Sequence, residues 1–146
     1  MLFALGPALM VAVPPAQAAA APSPAVTAQY EARAIYLINR QRLSHGIHSL
    51  KPVSCPDQWA EVWASYLGST GRFYHRSMLA YLRGCRVSKV AENLARGNVS
   101  ADSLVAAWMA SPGHRANILD RQLTTIGMGA VYARGTWTLV ADFARP

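Results

Sequence analysis

The sequence is poor in acidic residues, in lysine and in cysteine. Only 7 Asp and Glu residues balance 14 Lys and Arg residues, and the formal net charge at pH 7 is +7. Lys51 and Lys89 are the only lysines, so the positive charge lies on scattered arginines. Because the arginines form no basic run, we expect no specific nucleic-acid binding. They form either a solvated surface or one that attracts anionic polymers and lipid headgroups.

The sequence also lacks a hydrophobic run long enough to cross a bilayer, which requires about 20 apolar residues. The apolar residues 2–13 are followed by two prolines, and Ala16-Gln17-Ala18 has the small-x-small pattern of a cleavage site. Residues 1–20 therefore predict a secretory signal peptide and no stable transmembrane anchor. Because no Lys or Arg precedes the apolar run, we expect translation to start upstream. An uncleaved membrane anchor is the alternative.

The two cysteines, Cys55 and Cys85, are an even number in a chain that we expect to be exported. This favours a disulfide, which would stabilise the fold by about 3–4 kcal/mol in the chain-entropy model. Two free buried thiols are the alternative. The pair has no Cys-x-x-Cys spacing that would indicate a metal site.

The rest of the chain has the length and apolar content of one domain, over residues 26–146, behind a disordered linker at residues 21–25. Helical spacing predicts helices over residues 26–44, 56–67, 78–82, 101–110 and 113–119. In the second of these, we expect the stripe of Trp59, Val62, Trp63, Tyr66 and Leu67 to face the core.

Strand patterns concentrate near the end of the sequence. Residues 125–133 and 136–143 predict an antiparallel pair joined at Arg134-Gly135, and alternation in the second predicts a half-buried strand. Gly127 and Gly129 permit close backbone approach in the first. Residues 87–98 are expected to be extended or irregular.

Two polar side chains stand out because residues suited to packing surround them. Glu92 is followed by Leu94 and Ala95, and His114 is followed by Ile118 and Leu119. A buried carboxylate or imidazole must be paired, hydrogen-bonded or metal-bound, since its burial alone costs several kcal/mol. The simplest arrangement is a shared site.

These residues lie in two motifs, Ala91-Glu92-Asn93-Leu94-Ala95 and the stretch from Trp108 to Leu119 that contains Ser111-Pro112-Gly113-His114-Arg115. The motifs resemble the signatures of the CAP superfamily of cysteine-rich secretory, antigen 5 and pathogenesis-related 1 proteins, in its bacterial secreted form. The resemblance implies an α+β fold, an α/β/α three-layer sandwich with a small antiparallel sheet. It also implies a cavity that His75, Glu92 and His114 line, with Ser111 where eukaryotic members have a second acid.

Three interpretations of that cavity are open. His75, His114 and Glu92 are suitable ligands for Zn²⁺ or another divalent cation. The same groups could serve as general base and orienting acid in a metal-dependent, peptidase-like hydrolase, although Ser111 shows no nucleophile elbow and no residue is a confident catalytic candidate. The three side chains could instead form a purely structural hydrogen-bonded network.

We expect a secreted or envelope-associated CAP module that binds a ligand, a lipid or a divalent ion, rather than an enzyme. Its partner is an unknown small molecule, lipid or cell-envelope polymer, and the chain is expected to be a monomer. The alternatives are the hydrolase above and a structural adhesion protein with a basic surface.

Overall fold

The computed structural model describes residues 21–146. The expected signal peptide at residues 1–20 lies outside the described residues. Within the described range the chain forms five helices and four strands in this order: α1 (Pro24–Ser44), β1 (Lys51–Pro52), α2 (Ser54–Thr70), α3 (Met78–Cys85), β2 (Lys89–Arg96), α4 (Ala101–Ala110), α5 (Pro112–Ile118), β3 (Thr125–Ala133) and β4 (Thr136–Arg145). None of the described helices has the length and apolar character needed to cross a membrane.

The four strands form one sheet in the order β1-β3-β4-β2. β4 pairs antiparallel with β2 and with β3, whereas the short β1 pairs parallel with the start of β3. The expected small antiparallel sheet is therefore a mixed sheet. Residues 87–98, expected to be extended or irregular, contain the edge strand β2.

Helices cover both faces of the sheet. On one face α1, α4 and α5 pack on β3 and β4 around the larger core, which includes Ile38, Leu104, Trp108, Ile118, Met128 and Phe143. On the other face α2 packs on a smaller core of Ala60, Ala64, Leu67, Leu94 and Val140. The chain is thus the expected α+β sandwich of three layers.

Because both faces are covered, β4 is buried along nearly its whole length. The expectation of a half-buried strand was wrong: the alternating residues Thr138 and Asp142 are buried beneath α2 rather than exposed to water. Alternation of polarity identifies a strand but does not show whether a second helical layer covers its polar face.

Small residues bring α2 unusually close to β3. A Cβ atom added at Gly127 would lie 2.0 Å from the Asp57 nitrogen, and one at Gly129 would lie 2.4 Å from the Ala60 oxygen. The close approach places Ala60 and Ala64, not the aromatic stripe, against the sheet. Of that stripe only Leu67 is fully buried, and Val62 is 70% exposed.

Other helix boundaries follow local capping. α1 begins at Pro24, two residues earlier than expected, because the Ser23 hydroxyl accepts a hydrogen bond from the Val26 amide and proline suits the first turn. Two residues of the expected linker therefore belong to α1. Ser100 caps α4 as predicted. α2 ends at Thr70, and its C-cap is Gly71, whose φ is +74°.

The disulfide is confirmed: Cys55 at the start of α2 is bonded to Cys85 at the end of α3, with Cα atoms 5.8 Å apart. It fastens α3 and the irregular segment of residues 71–77 to α2. That segment carries the first of the predicted site residues.

Candidate functional site

The candidate site is built around the edge strand β2. Successive residues of a strand point to opposite faces of the sheet, and the contacts of Glu92 and Asn93 follow this rule. The Glu92 carboxylate meets His75 and Arg76 from the α2–α3 side. The Asn93 amide donates to the His114 carbonyl of α5 at 3.1 Å and accepts from Asn117. The Glu92 carboxylate and the α5 backbone at His114 therefore lie on opposite faces of β2.

His75 and Glu92 are joined directly, with Nδ1 of His75 lying 2.8 Å from Oε1 of Glu92. The His75 side chain is 60% exposed, whereas the Glu92 side chain is 2% exposed. With Glu92 ionised, the carboxylate only accepts hydrogen bonds, so the Nδ1–H group donates and Nε2 is left for a ligand. A buried acid thus orients an exposed imidazole.

His114 lies nearby but makes no hydrogen bond through its ring to Glu92 or His75 in the described part of the chain. Its ring packs against Trp108, with ring centroids 6.2 Å apart. Burial lowers the pKa of His114, and the charge of His75 lowers it further. The His114 ring is therefore held by its contact with Trp108 rather than by the His75–Glu92 pair.

A buried charge cluster, consisting of Arg76, Glu92 and Asp142, lies behind His75. Glu92 on β2 and Asp142 on β4 are direct partners in the antiparallel register. The Arg76 guanidinium hydrogen-bonds to Asp142 through Nη2, and the same nitrogen lies 3.5 Å from Oε2 of Glu92. One arginine therefore serves two buried carboxylates.

Burial dominates the titration of these acids. It raises the pKa of Asp142 to about 7, with Arg76 opposing the rise and Glu92 adding to it. Burial also raises the pKa of Glu92, against the opposing effects of His75 and Arg76. Ionisation of both acids consequently depends on the guanidinium between them.

Phe73 and Tyr74 directly precede His75 in the chain, and Tyr74 packs with Trp63 and Tyr66; we call these four residues the aromatic rim. Trp63 stacks on Tyr66 with centroids 5.0 Å apart and meets Tyr74 edge-on at 5.4 Å. The hydroxyl of Tyr74 donates to that of Tyr66. Phe73 and Tyr74 are 49% and 45% exposed, so rigidly held ring surfaces face solvent beside the imidazole.

Two arginines add positive charge to this rim. The exposed Arg72 donates to the Tyr66 hydroxyl at 3.0 Å, and the Arg96 guanidinium lies 5.0 Å from the centre of the Phe73 ring. The surface around His75 is therefore both aromatic and basic.

Comparison with known proteins agrees with this geometry. Residues 35–143 match the model of the cysteine-rich secretory protein family, CAP. The chain belongs to the CAP family. It is 29% identical over 125 residues to the uncharacterised protein YkwD of Bacillus subtilis. The aligned region covers 80% of this chain and 48% of YkwD. The chain thus spans about half the length of that curated relative.

Solved structures share the CAP fold at low sequence identity. An extracellular SCP-domain protein from Bacillus anthracis has a TM-score of 0.72 and 22% identity, over 85% of this chain and 44% of that one. An outer surface protein from Borrelia burgdorferi has a TM-score of 0.71 and 19% identity, over 76% and 88%. These neighbours are described as extracellular or outer surface proteins.

The three predicted ligands, His75, Glu92 and His114, do not form a three-ligand metal site in the described part of the chain. Within residues 21–146 no group of three His, Cys, Asp or Glu side chains is placed to hold a metal ion. Oε1 of Glu92 faces His75 and Oε2 faces Arg76, whereas the His114 ring packs on Trp108. The side chains as placed do not fit a shared ion, and zinc binding stays a prediction.

Ser111 has a backbone role in this CAP domain. It ends α4 and precedes α5, and its amide donates to the Ala107 carbonyl at 3.1 Å. No hydrogen bond joins its hydroxyl to an imidazole among residues 21–146. The geometry gives no support to Ser111 as an activated nucleophile.

The sequence motifs missed Arg76 and Asp142. Arg76 lies next to His75, but arginine is common on surfaces and its burial leaves no local signature. Asp142 had one: a lone acid between Ala141 and Phe143, in a strand rich in apolar residues, is expensive to bury without a cation.

Proposed function

We propose that this CAP domain acts outside the cytoplasm as a binding module for an anionic glycan of the cell envelope. The observation that carries the proposal is the exposed His75 imidazole, fixed by a buried carboxylate and bordered by the aromatic rim and by arginines. Export is supported by the leader-like residues 1–20, by the disulfide, and by relatives described as extracellular or outer surface proteins.

The chemistry of the rim favours a glycan. Sugar rings present C–H faces that pack on exposed aromatic rings, and their hydroxyls pair with polar groups such as Nε2 of His75 and the hydroxyl of Tyr74. An acidic polymer is favoured by the two arginines of the rim, Arg72 and Arg96, and by the net charge of +7. Binding rather than hydrolysis is favoured because the site lacks an activated nucleophile among the described residues.

Alginate, a polymer of uronic acids, is a suitable first probe, with neutral dextran and phosphatidylglycerol vesicles beside it. We expect binding to alginate that weakens with added salt, since salt screens exposed charges, and much weaker binding to dextran. His75→Ala and Tyr74→Ala should each reduce alginate affinity by about tenfold, the effect of losing roughly 1.4 kcal/mol.

His48→Ala is the matched control, because His48 is an exposed loop histidine outside the site. Binding to vesicles alone would replace the glycan by a lipid, and shortening of the alginate chains would favour the hydrolase. Equal affinities of the His75→Ala and His48→Ala variants would refute the site.

A further inference from the structure

The pairing of Glu92 with Asp142 requires an explanation beyond the proposed function. The two acids stand directly opposite each other on neighbouring strands, and Asp142 is completely buried. Like charges at such cross-strand positions are destabilising, and a low-dielectric interior strengthens the repulsion. A structural core would be better served by apolar residues at these two positions.

Arg76 is the group that makes this pair tolerable, and its position is fixed from several directions. Its side chain is 9% exposed. Nη1 donates to the Trp59 carbonyl at 2.9 Å, while Nη2 meets Asp142. The guanidinium carbon lies 5.5–5.6 Å from the ring centres of Trp59, Trp63 and Tyr81, within the range of cation–π attraction.

His75 is the neighbour of Arg76 in an irregular segment. Residues 71–77 belong to no helix or strand, so secondary structure does not fix the backbone that carries His75. Arg96 holds the start of the segment by donating to the Gly71 and Arg72 carbonyls. The buried Arg76 side chain holds its centre, next to His75, and faces the second oxygen of Glu92. Both members of the His75–Glu92 pair are therefore tied to one guanidinium.

We propose that Asp142 and Arg76 are the positioning residues of the His75–Glu92 pair: Asp142 anchors Arg76, and Arg76 sets the place of both the imidazole and the carboxylate that orients it. Asp142 is thus a second acid of the site. It lies on β4 and acts through Arg76, whereas the family resemblance places the second acid at position 111. The inference deepens the proposed function, since it concerns the imidazole that we expect to contact the glycan.

The test needs no ligand, so its outcome is separate from that of the glycan assay. The ¹⁵N shifts of a neutral imidazole distinguish a proton on Nδ1 from one on Nε2. In the wild-type chain His75 should carry the proton on Nδ1. Asp142→Asn and Arg76→Gln should each shift the ratio of tautomers towards Nε2–H by about tenfold, as expected when a hydrogen bond to a charged group is lost.

Asp102→Asn is the matched control, because it makes the same chemical change in the exposed Arg33–Asp102 pair and should leave the His75 shifts unchanged. Arg76→Lys keeps the charge but not the planar fork and should restore the Nδ1–H tautomer in part. Folded Asp142→Asn and Arg76→Gln proteins with wild-type His75 shifts would overturn the proposal. If the single variants Asp142→Asn and Arg76→Lys both fail to fold, the proposal is also overturned, because Asp142 and Arg76 would then be needed for the core alone.

Discussion

Two buried arginines, Arg42 and Arg76, show how differently one side chain can be used in the same domain. Arg42 is 1% exposed and donates only to main-chain carbonyls, those of His48, Ile118, Asp120 and Leu123. Arg76 faces two carboxylates and three aromatic rings. The carbonyls that accept from Arg42 do not titrate, whereas the carboxylates that face Arg76 do.

The difference indicates that the two arginines have different roles. Arg42 ties α1 to the loop that follows it and to the α5–β3 connection. Among the described residues, its side chain donates to no candidate site residue. Arg76 connects a buried acid to the exposed His75. We infer that Arg42 contributes to stability and that Arg76 contributes mainly to the geometry of the site.

The largest expected effect separates the two arginines by stability. Arg42→Met should lower the free energy of unfolding by about 3–5 kcal/mol, because it leaves several buried carbonyls without donors. Urea denaturation measures the change. Arg40→Met on the same helix, where the exposed Arg40 donates only to Tyr36, is the control. A loss no larger than that of the control would show that the Arg42 contacts are dispensable.

The disulfide sharpens the comparison, because it encloses the Arg76 region and not the Arg42 region. Reduction of Cys55–Cys85, which are 30 residues apart, should destabilise the fold by about 3–4 kcal/mol. It should also broaden the NMR signals of residues 71–77 before those near Arg42. A melting temperature that reduction leaves unchanged would contradict this expectation.

The dependence of stability on pH should distinguish the Arg76 region from the Arg42 region, by less than the two effects above. The pKa of Asp142 rises from 3.8 to about 7 on folding, because burial disfavours its charged form. Between these values the folded protein binds more protons than the unfolded chain, so this contribution to stability is full below about pH 3.8 and is lost as pH rises through 7. Asp142→Asn should therefore flatten the stability profile between pH 4 and 7, compared with the wild type.

Denaturation series at several pH values measure this slope. Arg42→Met should keep the wild-type slope between pH 4 and 7. The hydrogen-bond partners of Arg42 are neutral carbonyls, and its charge helps to hold the pKa of Asp120 below the usual 3.8, outside this range. An unchanged slope in Asp142→Asn would mean that Asp142 does not take up the proton.

The fold was predictable from sequence because its main determinants are local. Helical spacing, the Ser100 cap and the turn at Arg134-Gly135 gave the helices and the β3–β4 pair close to their observed bounds. The CAP resemblance supplied the layer order, and two cysteines in a chain expected to be exported predicted the disulfide. Burial on both faces of β4 could not be read from its alternation, because burial depends on how α2 packs.

The site was only partly predictable for the same reason. His75 and Glu92 meet as expected, since both lie in recognisable motifs. The His114 ring packs on Trp108 instead of joining this pair, and its place depends on how α5 packs, which the motif does not specify. The burial of Arg76 depends on Trp59, Trp63 and Tyr81. The helical pattern assigned the two tryptophans to a core face rather than to a cation, and it made no prediction for Tyr81.

The central claim is that Arg76, unlike Arg42, serves the exposed imidazole. The most direct test compares the alginate affinities of folded Arg76→Gln and Arg42→Met proteins at one low temperature, with the folded fraction of each measured by circular dichroism. We expect Arg76→Gln to lose about tenfold in affinity, in line with a displaced His75, while folded Arg42→Met binds like the wild type. Wild-type affinity in Arg76→Gln, or an equal loss in both variants, would contradict the account.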